Sequence, residues 1–395
     1  MLRTKFIKYK DVKIRLIFQL FEMFYYVEYA LKKLFLKIDN RVISDNPTIL
    51  VIRRDMLWDF IISFFALSKL KLAFPKSKIY FVGTKWVRSL FSIIRKDFFE
   101  WHFFIDPNFW APKIIRSRAQ YLQKKSEEWD DIHSIMQLKG KIDIWIDLRW
   151  DLFSLKLLND INSKSIVSYP IWWGLFYITD KVKYSHDKNE KAHDIELVDY
   201  VIDKFSKSAS DNIKVNLDSI IEDWIIEKNV KEKYICIQPG GGRWDYRRWP
   251  QKRYIELISD ILIDDDDILI KLLCADNFEE LICKNIFTKL VLTDRVEIIK
   301  TQSWKSTIDL INNSVLFIGH DTSTAHLCDL LDHSWIILFW PWDRRLFQPS
   351  SKKIQTIFHG YECQPCEQRK CKYPDNSCMS AIKAKEVKDA ILWLY

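Results

Sequence analysis

Two segments of the chain carry residue types that suit the binding of a phosphate group. In the first, Gly240, Gly241 and Gly242 follow a predicted strand and precede Arg247. Glycine lets backbone N–H groups approach a phosphate closely, and an Arg side chain can donate two parallel hydrogen bonds to its oxygens. The segment lacks the Gly-Lys-Ser/Thr ending of a P-loop. It therefore predicts either a phosphate-binding loop or a structural turn.

The second segment contains Asp321, Thr322, Ser323, Thr324 and His326, which follow another predicted strand and open a helix. Asp, Ser and Thr are favoured at helix N-caps, and a helix N-terminus attracts anions. Alone, this pattern indicates only a well-capped helix. Two such segments at corresponding strand ends of one domain favour a diphosphate or nucleotide ligand.

A group of charged residues near the start of the chain could take part in proton transfer. Arg53 and Asp55 follow the predicted strand at 48–52, and Trp58 and Asp59 lie where the next predicted helix begins. A carboxylate at this place could act as a general base if a hydroxyl group lies within hydrogen-bond reach. Asp59 could equally be a helix-start residue that stabilises the helix dipole.

The eight cysteines divide into a cluster and a set of isolated residues. Cys363, Cys366, Cys371 and Cys378 are close together in sequence, and the first pair has the spacing of zinc ligands. The cluster predicts a structural zinc site, with free or redox-linked thiols as the alternative. The isolated cysteines lie in apolar segments and are predicted to be buried thiols: Cys236, Cys274, Cys283 and Cys328.

The composition limits the class of protein. The chain has 395 residues, 48% of them hydrophobic, but only 8 glycines. This length suggests two or three domains, and the apolar content excludes a disordered chain. The net charge of +8 favours an acidic partner such as phosphate, nucleic acid or an anionic membrane surface.

Residues 1–45 form a basic amphipathic extension. Residues 1–40 contain nine Lys or Arg residues, four Asp or Glu residues and several aromatic residues, and we identify no signal peptide and no membrane-spanning segment there. One interpretation is that this stretch lies on an anionic membrane surface. The other is that it forms a helix on the protein's own core with a solvated basic face.

Short apolar runs alternate with helical patterns along the rest of the chain, which predicts doubly wound α/β domains with parallel strands. We predict a first domain at 46–190, a linker at 191–230, a second domain at 231–380 that includes the cysteine cluster 363–378, and a C-terminal helix at 381–395. The predicted strands of the first domain are 48–52, 78–82, 101–105, 142–148 and 165–169, with helices at 59–72 and 123–131. Those of the second are 234–238, 268–273, 296–299, 315–318 and 335–339. A cleft between the domains is expected to hold the ligand outside the carboxyl ends of the strands.

Taken in order, these segments resemble glycosyltransferase family 9, the ADP-heptose:lipopolysaccharide heptosyltransferase family. ILVIRRDMLWDF is similar to the family's R-x-D-x-x-G-D opening, and IQPGGGRWDYRRWP to its HPG…K-x-W-P segment. FIGHDTSTAHL is similar to its G-x-D-S/T-G-x-x-H-L segment, and the four-cysteine tail matches a spacing found in many members. The resemblance extends over residues 48–393.

The resemblance implies a GT-B architecture, in which two Rossmann-like doubly wound domains face a central cleft, with the acceptor domain first and the nucleotide-sugar domain second. It places Asp59 on the general base of an inverting transfer and Arg247 on a diphosphate-binding Lys. Asp321, Thr322 and His326 fall on the donor-binding segment. Glu279 is a weaker match to the acid that holds the nucleoside ribose. Trp58 and Ser323 each stand where the family has Gly.

The function that the resemblance implies is the transfer of a sugar, heptose from ADP-heptose, to a bacterial lipopolysaccharide or related surface-glycan acceptor. We expect no cofactor for catalysis, a monomer, and a location on the cytoplasmic face of the bacterial inner membrane beside a lipid-linked acceptor. One alternative is a different nucleotide sugar and an O-antigen or capsule acceptor. Another is a catalytically silent nucleotide-sugar-binding protein. A zinc-containing nucleic-acid binder is a further alternative, but we expect no nucleic-acid partner.

Overall fold

Two six-stranded sheets, one in each half of the chain, form the framework of the protein. The computed structural model describes residues 12–35, 42–105, 131–148, 152–171, 174–222, 232–241, 245–339, 343–349, 351–364, 366, 371–373 and 377–394. All strand pairs within the two sheets are parallel. The predicted doubly wound α/β class is confirmed.

The first sheet has the strand order β3-β2-β1-β4-β5-β6. Its strands are β1 (Ile49–Arg53), β2 (Ile79–Gly83), β3 (Trp101–Phe104), β4 (Ile144–Asp147), β5 (Ser165–Ser168) and β6 (Asp180–Lys181). The helices of this half are α1 (Val12–Phe35), α2 (Leu57–Ala73), α3 (Leu152–Ile161) and α4 (Glu190–Phe205), with a 3₁₀ segment at Lys85–Ile93.

The second sheet has the strand order β12-β11-β10-β7-β8-β9. Its strands are β7 (Tyr234–Ile237), β8 (Leu269–Cys274), β9 (Val296–Lys300), β10 (Leu316–His320), β11 (Trp335–Leu338) and β12 (Ile354–Ile357). The helices are α5 (Gln251–Asp264), α6 (Asn277–Phe287), α7 (Trp304–Asn312), α8 (Ser323–Leu330), α9 (Arg344–Phe347), α10 (Cys378–Ala381) and α11 (Ala384–Leu394).

The direction of strand addition reverses at one place in each sheet, between β1 and β4 and between β7 and β10. Doubly wound sheets bind ligands in the crevice outside the carboxyl ends of the strands at such a reversal. Arg53, Gln238 and His320 lie at or just after these strand ends. The topology therefore brings the three candidate segments to the expected binding position.

The ten strands predicted from apolar runs correspond to strands in the structure, but β6 and β12 were not predicted. β6 has two residues, and β12 has the polar residues Gln355 and Thr356 between two isoleucines. Both are edge strands, which need no continuous apolar run because they have one neighbour and are less buried. Of the helix predicted at 123–131, residues 123–130 lie outside the described residues.

Residues 191–230, predicted as a linker, connect the two sheets and contain most of α4. This helix packs against α2 of the first half. Its N-cap is Asn189, whose side chain accepts a hydrogen bond from the N–H of Ala192 at 2.8 Å. The domain boundaries themselves stay a prediction.

One buried apolar core extends through both halves. It contains Ile61 and Phe64 of α2, Val198 of α4, and Leu327 and Leu330 of α8. Helix α2 packs against α4 on one side and against α8 of the second half on another. The four isolated cysteines are buried, as predicted. No helix among the described residues is long and apolar enough to cross a membrane.

Candidate functional site

The carboxylate of Asp59 lies at the start of α2, where β1 ends. Asp59 is the third residue of the helix, and its Oδ2 accepts a hydrogen bond from the backbone N–H of Met56 at 3.0 Å. This contact satisfies one of the free N–H groups at the helix start. Only 9% of Asp59 is exposed. The residue thus has the helix-start role that the sequence allowed, and this role also fixes its carboxylate in the crevice.

The buried guanidinium of Arg53 holds three carboxylates together. Its Nη1 lies 3.1 Å from Asp194 Oδ1, its Nη2 lies 3.6 Å from Asp59 Oδ1, and its Nε lies 3.6 Å from Asp55 Oδ2. Nη1 also donates to the carbonyl oxygen of Leu148. The positive charge of Arg53 therefore allows several acids to share one buried position.

The pKa values of these acids are shifted by their surroundings. Burial raises the pKa of Asp59 well above its ordinary value, the charge of Asp55 raises it further, and Arg53 opposes both effects. Burial also raises the pKa of Asp194 to about 7, again opposed by Arg53. A carboxylate with a raised pKa is a stronger base once it is deprotonated, so Asp59 is suited to accept a proton.

In the second half, Glu279 of α6 packs against the glycine segment. A Cβ atom on Gly240 would overlap Glu279 Oε1, so a larger residue there would displace the Glu279 carboxylate from its present position. Glu279 Oε2 accepts hydrogen bonds from the N–H of Ala275 at 3.0 Å and from Gln238 Nε2 at 3.5 Å. Burial raises the pKa of Glu279. Gly240 and Glu279, both predicted as site residues, are thus in direct contact. Gly242 lies outside the described residues.

The buried His320 at the end of β10 fixes the other side of the same segment. Its Nε2 lies 2.8 Å from the backbone nitrogen of Trp249, and a backbone N–H can only donate. Nε2 is therefore the acceptor, and the proton of the neutral ring is on Nδ1. A Cβ atom on Gly241 would lie 2.9 Å from this Nδ1. Burial lowers the pKa of His320 to about 4, so the ring stays neutral at physiological pH.

The predicted donor segment forms the first turn of α8. Thr322 is the N-cap, and Ser323 is the first helical residue. Ser323 is not among the non-glycine residues with positive φ, so it needs no backbone conformation that glycine alone adopts. His326 Nε2 lies 3.1 Å from Asp321 Oδ1, and both His326 and Thr324 are buried. The contact between His326 and Asp321 links the first turn of α8 to the residue before its N-cap, whereas the side chain of Thr322 makes no capping hydrogen bond.

Arg247 ends the short 3₁₀ segment Asp245–Arg247 and is half-buried. Burial lowers its pKa, while the phenol of Tyr246 and the charge of Asp321 act in the opposite direction. In the same segment, Gly241 lies against His320, the residue that directly precedes Asp321. The two predicted phosphate-binding segments thus lie beside each other.

The two halves meet at Trp58. Its ring is nearly parallel to that of His326, with the ring centroids 5.8 Å apart and the planes 24° apart. It also contacts the edge of Phe347, with the centroids 4.6 Å apart. Because Trp58 precedes Asp59 directly, this contact brings the start of α2 to the start of α8. The predicted general base and the predicted donor segment therefore lie close to each other, one in each half of the chain.

Polar contacts support the same approach of the two halves. Lys191 Nζ of α4 lies 2.8 Å from Asp329 Oδ2 of α8. Trp304 Nε1 of α7 donates to Ser89 Oγ of the 3₁₀ segment at 3.0 Å. Both contacts join residues of different halves, at positions other than Trp58. They hold the cleft in the arrangement that the structure shows.

The four clustered cysteines are all free thiols, and burial raises the pKa of Cys378 to about 11. Within the described parts of the chain, no three His, Cys, Asp or Glu side chains lie in an arrangement that could hold a metal ion. Near the cluster, His359 Nε2 lies 2.8 Å from Glu386 Oε2. The zinc site stays a prediction.

Sequence reasoning missed Asp194 and His320 as members of this site. Asp194 lies in a strongly polar stretch, and its sequence separation from Arg53 is 141 residues, so no local pattern marks it as buried. Its one signal is that Glu190 and Asp194 are separated by one helical turn and share a helix face. The identity of His320 was visible in the sequence, but its contact with Trp249 is not encoded by spacing.

The family comparison agrees with this geometry. The sequence profile of glycosyltransferase family 9, described as heptosyltransferase, matches residues 178–376. No curated protein sequence matches the chain.

Several solved structures have the same fold. E. coli heptosyltransferase WaaC with ADP has a TM-score of 0.67 and 18% identity, over 88% of this chain and 100% of that chain. Its complex with ADP-2-deoxy-2-fluoro heptose has a TM-score of 0.67 and 17% identity over the same shares. A family 9 glycosyltransferase from Veillonella parvula has a TM-score of 0.65 and 16% identity, over 90% and 99%. E. coli ADP-heptose lps heptosyltransferase II has a TM-score of 0.61 and 16% identity, over 88% and 98%. The two facing sheets therefore form a GT-B architecture.

Proposed function

The chain belongs to glycosyltransferase family 9, the heptosyltransferase family, and we propose that it transfers heptose from ADP-heptose to a bacterial lipopolysaccharide or related surface glycan. The observation that supports this proposal is the stack of Trp58 on His326, because it brings the start of α2, with Asp59, close to the start of α8. The relatives with ADP and an ADP-heptose analogue support the choice of donor.

The proposed reaction is a single displacement with inversion at the anomeric carbon. The acceptor oxygen forms a bond to this carbon while its proton moves to the carboxylate of Asp59. The bond between the anomeric carbon and the diphosphate oxygen breaks, and the nucleoside diphosphate leaves with the electron pair. Arg247 and the N-terminus of α8 stabilise the negative charge that develops on the leaving group.

In this mechanism Glu279 holds the ribose of the donor, and Gly240 leaves room for the Glu279 carboxylate. Arg53 positions Asp59 through their electrostatic contact at 3.6 Å. We expect catalysis without a metal cofactor, since a guanidinium and a helix N-terminus supply positive charge at the diphosphate. Transfer that continues unchanged in EDTA would support this part, and loss of transfer that is restored by a divalent ion would contradict it.

The test is transfer from ADP-heptose to truncated lipopolysaccharide acceptors, with Asp59→Asn as the variant. Removal of a general base lowers turnover by about 10²- to 10⁴-fold. The variant should still be stabilised by ADP-heptose in a thermal-shift assay, since the donor binds in the other half. Turnover close to that of the wild type would contradict the role of Asp59.

Two alternatives are decided by a panel of nucleotide sugars in the same assay. A different donor that stabilises the protein more than ADP-heptose would indicate another sugar, with an O-antigen or capsule acceptor. Stabilisation without transfer to any acceptor would indicate a silent binding protein, and Trp58 beside the proposed base is the observation that favours it.

We further propose that the protein acts as a monomer at the cytoplasmic face of the bacterial inner membrane, where it reaches a lipid-linked acceptor.

A further inference from the structure

Helix α1 is attached to the first half by one of its faces. Glu22 Oε1 accepts a hydrogen bond from the N–H of Gly174 at 3.0 Å. Tyr29 contacts the rings of Phe176 and Tyr177, with centroids 5.5 Å and 5.4 Å apart, and Tyr25 packs against the same core. Helix α1 therefore packs on the first half through this face.

The opposite face of α1 carries an apolar stripe whose side chains are more than half exposed in the described part of the chain. Its members are between 51% and 64% exposed, and they are Leu20, Met23, Phe24, Val27 and Leu31. Their spacing of three or four residues places them on one side of the helix. Tyr25 and Tyr29 lie on the other side. The stripe is thus a continuous apolar surface, unlike the single exposed apolar residues that are common on proteins.

The positive charge of the sequence around the stripe indicates which partner this surface binds. Residues 1–40 contain nine Lys or Arg residues and four Asp or Glu residues, and they include Lys13 and Arg15 before the stripe and Lys32, Lys33 and Lys37 after it. A second copy of the chain would bring two such basic segments together, and like charges repel. An anionic lipid surface attracts them, and it accepts the apolar side chains between the headgroups.

We propose that the stripe is a membrane-docking surface, on which α1 lies flat in the interface of an anionic bilayer. The side chains of Leu20, Phe24 and Val27 enter the boundary between headgroups and acyl chains, while Tyr25 and Tyr29 keep the helix attached to the first sheet. The inference deepens the proposed function, because docking would bring a lipid-linked acceptor to the protein. Membrane binding itself does not depend on which sugar is transferred.

The test is sedimentation of the full chain with vesicles of phosphatidylcholine and phosphatidylglycerol, without donor or acceptor. The triple variant Leu20→Ser, Phe24→Ser, Val27→Ser should bind these vesicles with an affinity about tenfold lower than that of the wild type. A matched control, Ile263→Ser, Leu281→Ser, Val291→Ser, changes three exposed apolar residues of the second half and should bind like the wild type. Thermal stabilisation by ADP-heptose would show that both variants are folded. If ADP-heptose does not bind even the wild type, a midpoint of thermal unfolding equal to that of the wild type shows that the variants are folded.

Three results would overturn the proposal. The first is equal vesicle binding by the wild type and a folded stripe variant. The second is equal binding to vesicles of phosphatidylcholine alone, since charge selected this partner. The third is a wild type that does not bind vesicles and is dimeric in size-exclusion chromatography, while the stripe variant is monomeric. The stripe would then be a surface for self-association. None of these results depends on the transfer reaction, so a failure here is distinct from a failure of the proposed function.

Discussion

Trp58 stacks on His326 across the cleft, with their ring centroids 5.8 Å apart. The contact joins the residue before Asp59 to the helix that begins at the donor segment. It therefore couples the position of the proposed base to that of the proposed donor site.

Replacement of Trp58 tests whether the stack serves or blocks the reaction. Aromatic pairs contribute about 0.5 to 1.5 kcal/mol beyond their buried area, so Trp58→Ala should lower kcat/KM about tenfold or less. Trp58→Phe keeps a ring against His326 and should lose less. Trp393→Ala, at an exposed position of α11, is the control and should leave kcat/KM unchanged. An increase in kcat/KM for Trp58→Ala would mean that the indole blocks the site.

The pH dependence of transfer tests the surroundings of Asp59. A base works only when it is deprotonated, and burial and Asp55 both raise the pKa of Asp59. The value of kcat/KM should therefore fall as the pH decreases through this raised pKa, above the ordinary range of a carboxyl group. Asp55→Asn removes one of the causes of the raised pKa, so it should move this decrease to lower pH.

The control for Asp55→Asn is Asp45→Asn, which changes an exposed carboxylate before the other end of β1. Asp45 pairs with Lys207 at 2.5 Å and should have no effect on the pH profile. A profile that Asp55→Asn leaves in place, or moves to higher pH, would show that Asp55 does not act on the titrating group.

Replacement of His320 tests its role in holding the glycine segment. His320→Ala leaves the buried N–H of Trp249 without its acceptor, which costs about 1 to 3 kcal/mol, and it should weaken donor binding about tenfold. His320→Gln offers an amide oxygen near the place of Nε2 and should restore part of both losses. Isothermal titration with ADP-heptose and thermal unfolding measure them. Equal donor affinity in all three proteins would refute a positioning role.

The lowered pKa of His320 also makes a prediction about stability. The native state keeps this ring neutral down to about pH 4, whereas the unfolded chain binds a proton near pH 6.5. The unfolded state therefore binds more protons between these values, and the free energy of unfolding should decrease as the pH falls through them. Denaturant unfolding should show a smaller decrease for His320→Gln than for the wild type.

Arg247 is predicted to bind the diphosphate of the donor. Loss of a charged hydrogen-bond donor costs about 1.5 to 3 kcal/mol, so Arg247→Ala should weaken donor binding about 10- to 100-fold. Arg247→Lys keeps the charge and should remain closer to the wild type. Arg253→Ala removes a guanidinium that pairs with Glu256 at 2.7 Å, and it serves as the control. Affinities measured for ADP-heptose and for ADP decide the prediction.

The sequence predicted those features that depend on local pattern. The apolar runs of β1, β7 and β10 identified strands because both faces of these strands are buried. The glycine segment and the cap residues of α8 were recognised because glycine and Thr have conformational preferences of their own. Glu279 was identified through the family resemblance. Its contact with Gly240 explains why a residue without a side chain suits position 240.

Features that depend on tertiary contact could not be predicted in this way. Arg53 and Asp194 are 141 residues apart in sequence and meet only in the folded chain, and charged residues are ordinarily expected on the surface. The exposed stripe of α1 looks like a core-facing pattern in sequence, because an apolar helix face has the same spacing whether or not a partner covers it. The sequence showed that Trp58 stands where the family has Gly, but it did not show that Trp58 contacts His326.

The apolar core that extends through both halves has a consequence for how the protein unfolds. Because α2 and α8 belong to the same buried cluster, the second half cannot melt without exposing apolar surface of the first. Calorimetry should therefore record one cooperative transition instead of two, even though each half has its own complete sheet. A nucleotide bound in the second half would then slow hydrogen exchange at the backbone amides of α2, far along the chain from its own contacts.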